Sequence, residues 1–121
     1  MIIVDTNVWI SHLRAAEPTL VALLDEGRAL MHPYVVGELA LGAFAARSVV
    51  LDELAALPRA ALVPHADVVR LIDAAPLHGT GVGYVDAHLL ASADAMPGAR
   101  LWTRDKRLHA VARRLGLAAD V

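Results

Sequence analysis

The stretch Met1-Ile2-Ile3-Val4-Asp5-Thr6-Asn7 decides the fold that we expect for this chain. Residues 2–4 are apolar and β-branched without polar alternation, which is typical of a strand buried on both faces of a parallel sheet. Asp5 ends that run, and a buried carboxylate needs compensation. Two explanations are open at this point. Asp5 or Thr6 caps a following helix, or Asp5 serves a ligand, because ligands of open α/β sheets bind at the carboxyl ends of strands.

Composition narrows the class of protein. The 121 residues contain no cysteine, which excludes disulfides and thiolate metal sites. Their net charge of −2 gives no indication of a nucleic-acid partner. Apolar residues make up 57% even before the eight glycines are counted, against about 45–50% with glycine in a typical domain. This surplus predicts a surface covered by a partner or second subunit. We find no signal-peptide pattern and no membrane-spanning stretch, so we expect a cytoplasmic protein.

Strand and helix patterns alternate along the chain, which predicts a parallel α/β sheet in one domain, residues 1–121. Further strand candidates follow the first, at 28–32, 60–63, 100–103 and, as a short edge, 117–121. A helix that starts at Pro33 and runs to Phe44 is apolar almost all round apart from Glu38, which predicts that it is buried.

Four of the thirteen acidic residues do not occupy ordinary surface positions. Asp5 and Asp105 follow apolar strands, Asp86 lies in the first turn of a helix after a glycine-rich loop, and Glu38 interrupts the apolar helix. Each has an ordinary explanation in a helix cap, a helix dipole or an ion pair. Strand ends and helix starts of a parallel sheet share one edge, however, so a common cause is the simpler hypothesis.

That common cause would be a hard divalent cation. Several carboxylates in one pocket repel each other and take up protons unless a cation is present. Mg²⁺ prefers oxygen ligands and takes only one or two carboxylates directly, so four acids fit either two ions or one ion with water-mediated contacts. Such a site suits hydrolysis of phosphodiesters. The histidines show no zinc-binding spacing, which favours surface or packing roles for them.

Basic residues are concentrated after position 99. Without the four candidate site acids, the chain has nine acidic residues and eleven Lys and Arg residues, so the rest of the protein has a net positive charge. Arg104 and Lys106 flank Asp105, and we expect them at the rim of the pocket, where they would hold a phosphate backbone. For Arg107, Arg113 and Arg114, a solvated helix face is the simpler explanation.

The sequence resembles a PIN-domain ribonuclease of the VapC toxin type. The resemblance is carried, in order along the whole chain, by Ile3-Val4-Asp5-Thr6-Asn7, Val36-Gly37-Glu38-Leu39, Gly83-Tyr84-Val85-Asp86-Ala87-His88-Leu89-Leu90-Ala91 and Leu101-Trp102-Thr103-Arg104-Asp105. Leu108 stands where many relatives have an aromatic residue, and it leaves the acidic set intact.

The resemblance implies a three-layer α/β fold with a central parallel sheet of four to five strands flanked by helices. It implies a Mg²⁺- or Mn²⁺-dependent endoribonuclease with Asp5 and Asp86 as metal ligands. Glu38 and Asp105 would complete the catalytic set, directly or through water. Thr6 or Asn7, and Thr103, would orient water or phosphate, and the cap of the first helix would fall to Thr6 or Asn7.

The resemblance also implies partners: an RNA substrate, a cognate antitoxin and a second copy of the chain in a homodimer. We expect the antitoxin groove near Trp9, Leu13 and Phe44. Two alternatives stay open. One is a catalytically silent PIN-fold module that binds RNA or protein, and the other is a phosphoaspartyl hydrolase or signalling domain. The second lacks the expected Asp two residues after Asp5, where this chain has Asn7.

Overall fold

The computed structural model describes all residues, 1–121, and places the first strand at the centre of a parallel sheet. The strands are β1 (Ile2–Val4), β2 (Ala29–Leu30) and β3 (Arg100–Trp102), in the order β2-β1-β3. In register, Ile3 of β1 pairs with Leu30 on one side and Leu101 on the other. All three residues of β1 are buried, and because alternate side chains point to opposite faces, both faces of the sheet are covered there.

Seven helices surround this sheet. They are α1 (Thr6–Arg14), α2 (Pro18–Asp25), α3 (Pro33–Ala40), α4 (Arg47–Ala55), α5 (His65–Ala74), α6 (Tyr84–Ala95) and α7 (Lys106–Arg114). One apolar core of 27 residues joins strands and helices. Helix α6 is the most deeply buried, with every residue from Ala87 to Ala93 inside. None of the helices has the length and apolar character that crossing a membrane requires.

The expectation of four to five strands was wrong, because the sheet has three. The candidate at 60–63 forms no strand, and only the residue before it, Arg59, makes a single bridge with Met31. The backbone of this segment forms a hydrogen bond with a side chain instead, because the Ala61 carbonyl accepts from the Ser92 hydroxyl. The candidate at 117–121 likewise makes one bridge, between Leu101 and Ala118, beside a strand of only three residues.

The helix that begins at Pro33 is shorter and more exposed than its composition predicted. It ends at Ala40 rather than Phe44, and within it only Val35 and Leu39 are buried. Leu41, directly after it, is 90% exposed. The apolar surplus of the sequence is therefore partly at the surface and not in the core.

Candidate active site

Asp5 lies where β1 meets α1 and is almost completely buried. Its Oδ1 accepts a hydrogen bond of 2.7 Å from the Thr6 backbone N–H, so Asp5 caps α1. The expectation that Thr6 or Asn7 takes the cap was wrong. The reason is local geometry: Asp5 has extended backbone angles while Thr6 and Asn7 are already helical.

Two polar side chains hold the other oxygen of Asp5. Thr103, just past the end of β3, donates from Oγ1 to Asp5 Oδ2 at 2.7 Å. Asn7 Nδ2 lies 3.3 Å from both Asp5 Oδ2 and Thr103 Oγ1, and Asn7 Oδ1 accepts from the Arg104 backbone N–H at 3.1 Å. This network joins the carboxyl ends of β1 and β3. The side-chain polar groups of Asn7 and Thr103 are thus engaged within the protein, in positions that orient Asp5.

Asp105 and Asp86 also lie at helix N-termini. Asp105 caps α7, with Oδ1 accepting from the Leu108 backbone N–H at 2.9 Å. Asp86, in the first turn of α6, accepts from the Gly83 backbone N–H at 3.0 Å through Oδ2. The second oxygen of each carboxylate has no hydrogen-bond partner within the protein. The ordinary explanation of each acid, as a group that binds backbone N–H groups at the start of a helix, is therefore correct.

The four acids act on one another electrostatically. Burial raises the pKa of Asp5 above its usual 3.8, and the negative charges of Asp86 and Asp105 raise it further, while hydrogen bonds from Thr103 and Thr6 oppose the rise. The pKa of Glu38, on α3, is raised above its usual 4.5 by partial burial and then by the charges of Asp5 and Asp86. The fold thus brings all four predicted carboxylates into one field of negative charge.

No cation of the protein balances this charge. The three salt bridges of the structure join Arg28 to Glu26, Arg70 to Asp67 and Arg104 to Glu17, and none includes a member of the acidic set. No three acidic or histidine side chains lie close enough together to form a ready-made cation cluster. Hard oxygen donors, a negative charge without a salt-bridge partner and the unbonded second oxygens of Asp86 and Asp105 nevertheless fit a divalent ion.

The other predicted site residues have mixed positions. Thr6 is buried, and its Oγ1 has no hydrogen-bond partner. The Arg104 guanidinium leaves the acidic edge: it forms a 2.7 Å salt bridge with Glu17 and lies over the ring of Trp102. No sequence signal predicted the partnership with Glu17, which lies 87 positions away. Lys106 is exposed at the start of α7.

A groove lies near two of the three residues where we expected the antitoxin site. A groove of about 260 Å³ runs between α1 and the end of α3, with Leu13 and Phe44 in its wall. Trp9 is not part of it, because its side chain is 1% exposed and belongs to the core. Ile10 takes its place, and Glu38 lines the same groove. Ile10 and Leu13, three positions apart on α1, are therefore the apolar residues of this helix that line the groove.

Comparison with known proteins identifies the family of this chain. The family model described as the PIN domain matches residues 2–114. The chain belongs to the PIN domain family. It is also similar to "Ribonuclease VapC32" of Mycobacterium tuberculosis, in strains CDC 1551 / Oshkosh and ATCC 25618 / H37Rv. Each is 53% identical over 118 residues, which cover 98% of this chain and 95% of the relative. No solved structure matches significantly.

The resemblance to VapC-type PIN-domain ribonucleases is thus confirmed. The PIN-domain match runs from β1 to the end of α7 and includes all four acidic positions. The α/β class and the parallel sheet of this PIN domain are also as expected, and only the number of strands differs.

Proposed function

We propose that this PIN domain is an endoribonuclease toxin that hydrolyses RNA phosphodiester bonds with Mg²⁺ or Mn²⁺ in the cytoplasm and is neutralised by a cognate antitoxin. The observation that carries the proposal is that the negative charges of Asp86 and Asp105 act on buried Asp5 and those of Asp5 and Asp86 act on Glu38, while none of the four acids has a salt-bridge partner. The name of the VapC32 relatives supports ribonuclease chemistry for the same arrangement.

Each acid has a part in this proposal. Asp5 and Asp86 would hold the ion, with Glu38 and Asp105 contributing directly or through water. The bound ion supplies Lewis-acid assistance to the attacking water and to the leaving oxygen. Asn7 and Thr103 keep the buried Asp5 carboxylate in one orientation through their hydrogen bonds. Backbone N–H groups at the N-termini of α1, α6 and α7 donate to Asp5, Asp86 and Asp105, and these bonds fix the orientation of the three carboxylates.

The groove between α1 and α3 is our proposed antitoxin site. Ile10 is 40% exposed there, and Leu13 and Phe44 line the same wall, so an apolar segment would gain by covering them. Arg14 and Glu38 line the same groove. An apolar antitoxin segment with an acidic residue opposite Arg14 fits this surface and would lie against one of the catalytic acids. We further propose a homodimer, which light scattering of the purified protein tests.

A nuclease assay with matched variants tests the activity. Purified protein freed of antitoxin is incubated with cellular RNA in Mg²⁺, Mn²⁺ or EDTA, alongside Asp5→Asn and the control Asp94→Asn, which alters an exposed acid on α6. We expect cleavage by the wild type and by Asp94→Asn in the metals only, and none by Asp5→Asn.

Two outcomes contradict the proposal. Identical behaviour of the wild type and Asp5→Asn, with RNA bound but not cut, supports the silent binding module. Formation of an acid-stable or hydroxylamine-sensitive phosphate adduct on Asp5 supports the phosphoaspartyl alternative.

A further inference from the structure

A basic groove lies between α7 and the glycine-rich loop that precedes α6. It has a volume of about 430 Å³ and is lined by Thr80, Lys106, Arg107, Ala110, Val111 and Arg114. Three of these six residues are cations, and none of the lining residues is acidic. We call this surface the α7 groove.

The cations of the α7 groove have no acidic partners. None of them takes part in the three salt bridges of the structure. Arg114 is held by a hydrogen bond of 3.2 Å from Nη2 to the Pro76 carbonyl, which leaves its charge unneutralised. Like charges held close together repel each other, so an anion that bridges them would be stabilising. By contrast, the charge of Arg104 is already paired with Glu17.

Gly81 follows Thr80 and lies against the Arg107 side chain. Its φ of +84° is a conformation that favours glycine. A Cβ at this position would lie 2.6 Å from Arg107 Cδ and 2.9 Å from Arg107 Nη1. The Arg107 side chain therefore lies directly on the glycine backbone, and this contact restricts where its guanidinium can go. A side chain ordered before binding loses less conformational entropy when it binds.

The α7 groove adjoins the acidic edge at two points. Lys106 directly follows Asp105, and the loop that contributes Thr80 continues to Gly83, whose N–H binds Asp86. A polyanion that enters the acidic site would therefore meet the α7 groove on one side. The acidic edge alone would repel such a strand, and a neighbouring row of cations offsets that repulsion.

We propose that the α7 groove binds the sugar–phosphate backbone of the RNA strand on one side of the scissile bond, through Lys106, Arg107 and Arg114. This inference rests on the proposed ribonuclease function and extends it from the reacting phosphate to the flanking nucleotides. Contacts of this kind position a strand without reading its sequence.

Salt-dependent binding tests the proposal independently of cleavage. Fluorescence anisotropy measures binding of a labelled single-stranded RNA to the full chain in EDTA, for the wild type, the double variant R107Q/R114Q and the control Arg113→Gln. Arg113 is the neighbouring exposed cation of α7, but it lies outside the groove.

We expect the double variant to bind about tenfold more weakly at low salt and to lower the slope of log K against log salt by about 1.4, since each phosphate contact on a single strand contributes about 0.7. Arg113→Gln should keep the wild-type slope. Equal slopes for all three proteins overturn the proposal. If RNA binding is unchanged while antitoxin binding weakens, the groove belongs to a protein partner and the proposal is also wrong.

Cleavage separates this proposal from the function on which it rests. If the wild type cuts no RNA in Mg²⁺ but the slope still falls in the double variant, the groove proposal stands and the ribonuclease proposal fails. If the wild type cuts RNA and the double variant cuts it with unchanged KM and kcat, the groove proposal fails alone. A Gly81→Ala variant adds a local check, because displacing Arg107 should reproduce part of the binding loss.

Discussion

Thr103 donates a 2.7 Å hydrogen bond to Asp5 across 98 positions of sequence. The bond joins the carboxyl ends of β1 and β3, and the same hydroxyl accepts from the Asp105 backbone N–H at 3.1 Å. One side chain therefore orients one acid of the set and the backbone of a second.

We expect Thr103→Val to reduce ribonuclease activity about 10- to 100-fold, because misplacing a catalytic group slightly has an effect of this size. Thr103→Ser, which keeps the hydroxyl, should retain most activity. The measurement is kcat/KM on a labelled RNA, with thermal unfolding as a control for folding. Equal activity of the valine and serine variants would show that the hydrogen bond is dispensable.

Asp5 should link divalent metal to stability. Its raised pKa means that the folded state holds the Asp5 proton more tightly than the unfolded state. This contribution to stability is present below pH 3.8 and is lost as the pH rises through the raised pKa. At pH 7 without metal, Asp5→Asn removes the cost of the buried charge and should therefore raise Tm.

Mg²⁺ at ten times its Kd should stabilise the wild type by about 1.4 kcal/mol. The same concentration of Mg²⁺ should stabilise the Asp5→Asn variant much less than the wild type. Differential scanning fluorimetry in EDTA and in Mg²⁺ gives both numbers, and Asp73→Asn, on the exposed side of α5, is the matched control. A Mg²⁺-dependent shift that Asp5→Asn retains in full would remove Asp5 from the set of ligands.

His32 should make the fold sensitive to acid. It is fully buried, and burial, with a smaller contribution from His88, lowers its pKa from 6.5 to about 4. Its Nδ1 accepts from the Tyr34 backbone N–H, so its proton lies on Nε2, which faces Ser92. Protonation of Nδ1 would break the first bond.

The unfolded state binds the His32 proton more tightly, so this stability is present above pH 6.5 and is lost as the pH falls toward 4. Between pH 7 and 4.5 the wild type should lose about 2 kcal/mol that His32→Asn does not lose, since one pKa unit equals about 1.36 kcal/mol. Urea unfolding at both pH values tests this. The effects of Asp5 and Glu38 have the opposite sign and cancel in the comparison. A constant difference between the two proteins would contradict the assignment.

The groove between α1 and α3 should control antitoxin binding without controlling chemistry. Ile10→Glu places a charge on its apolar wall and should weaken antitoxin binding about 30-fold, as the loss of a hot spot of about 2 kcal/mol would. RNA cleavage should stay at the wild-type level. Isothermal titration with the antitoxin measures the first effect. Val21→Glu, at an exposed apolar position of α2, should bind normally, and an equal loss there would mean that the groove is not the site.

Helix α6 offers a pair of acids for testing the catalytic set. Asp86→Asn should abolish cleavage, since its carboxylate lies at the acidic edge, whereas Asp94→Asn, at the exposed end of the same helix, should leave it unchanged. The measurement is single-turnover cleavage in Mg²⁺. Because Asn preserves the acceptor for the Gly83 N–H, a loss of activity would not reflect a lost cap.

The sequence by itself determined the α/β class and the central buried strand, and it singled out the four acids as a hypothesis. It did so because burial pattern and strand-end position are local properties, and residues 2–5 already show both. The sequence did not predict the number of strands correctly. The segments at 60–63 and 117–121 have the composition of strands but lack a long neighbouring strand to pair with.

Only the tertiary structure decided how each site residue is used. Three contacts join residues that are far apart in sequence. They are the hydrogen bond from Thr103 to Asp5, the salt bridge between Arg104 and Glu17, and the packing of Arg107 against Gly81. Pairings of this kind depend on where distant helices pack. The outward face of α1 also depends on packing, which buries Trp9 and exposes Ile10 although both are apolar. Local sequence pattern predicts which residues are candidates for the site, whereas tertiary packing determines which residues they contact.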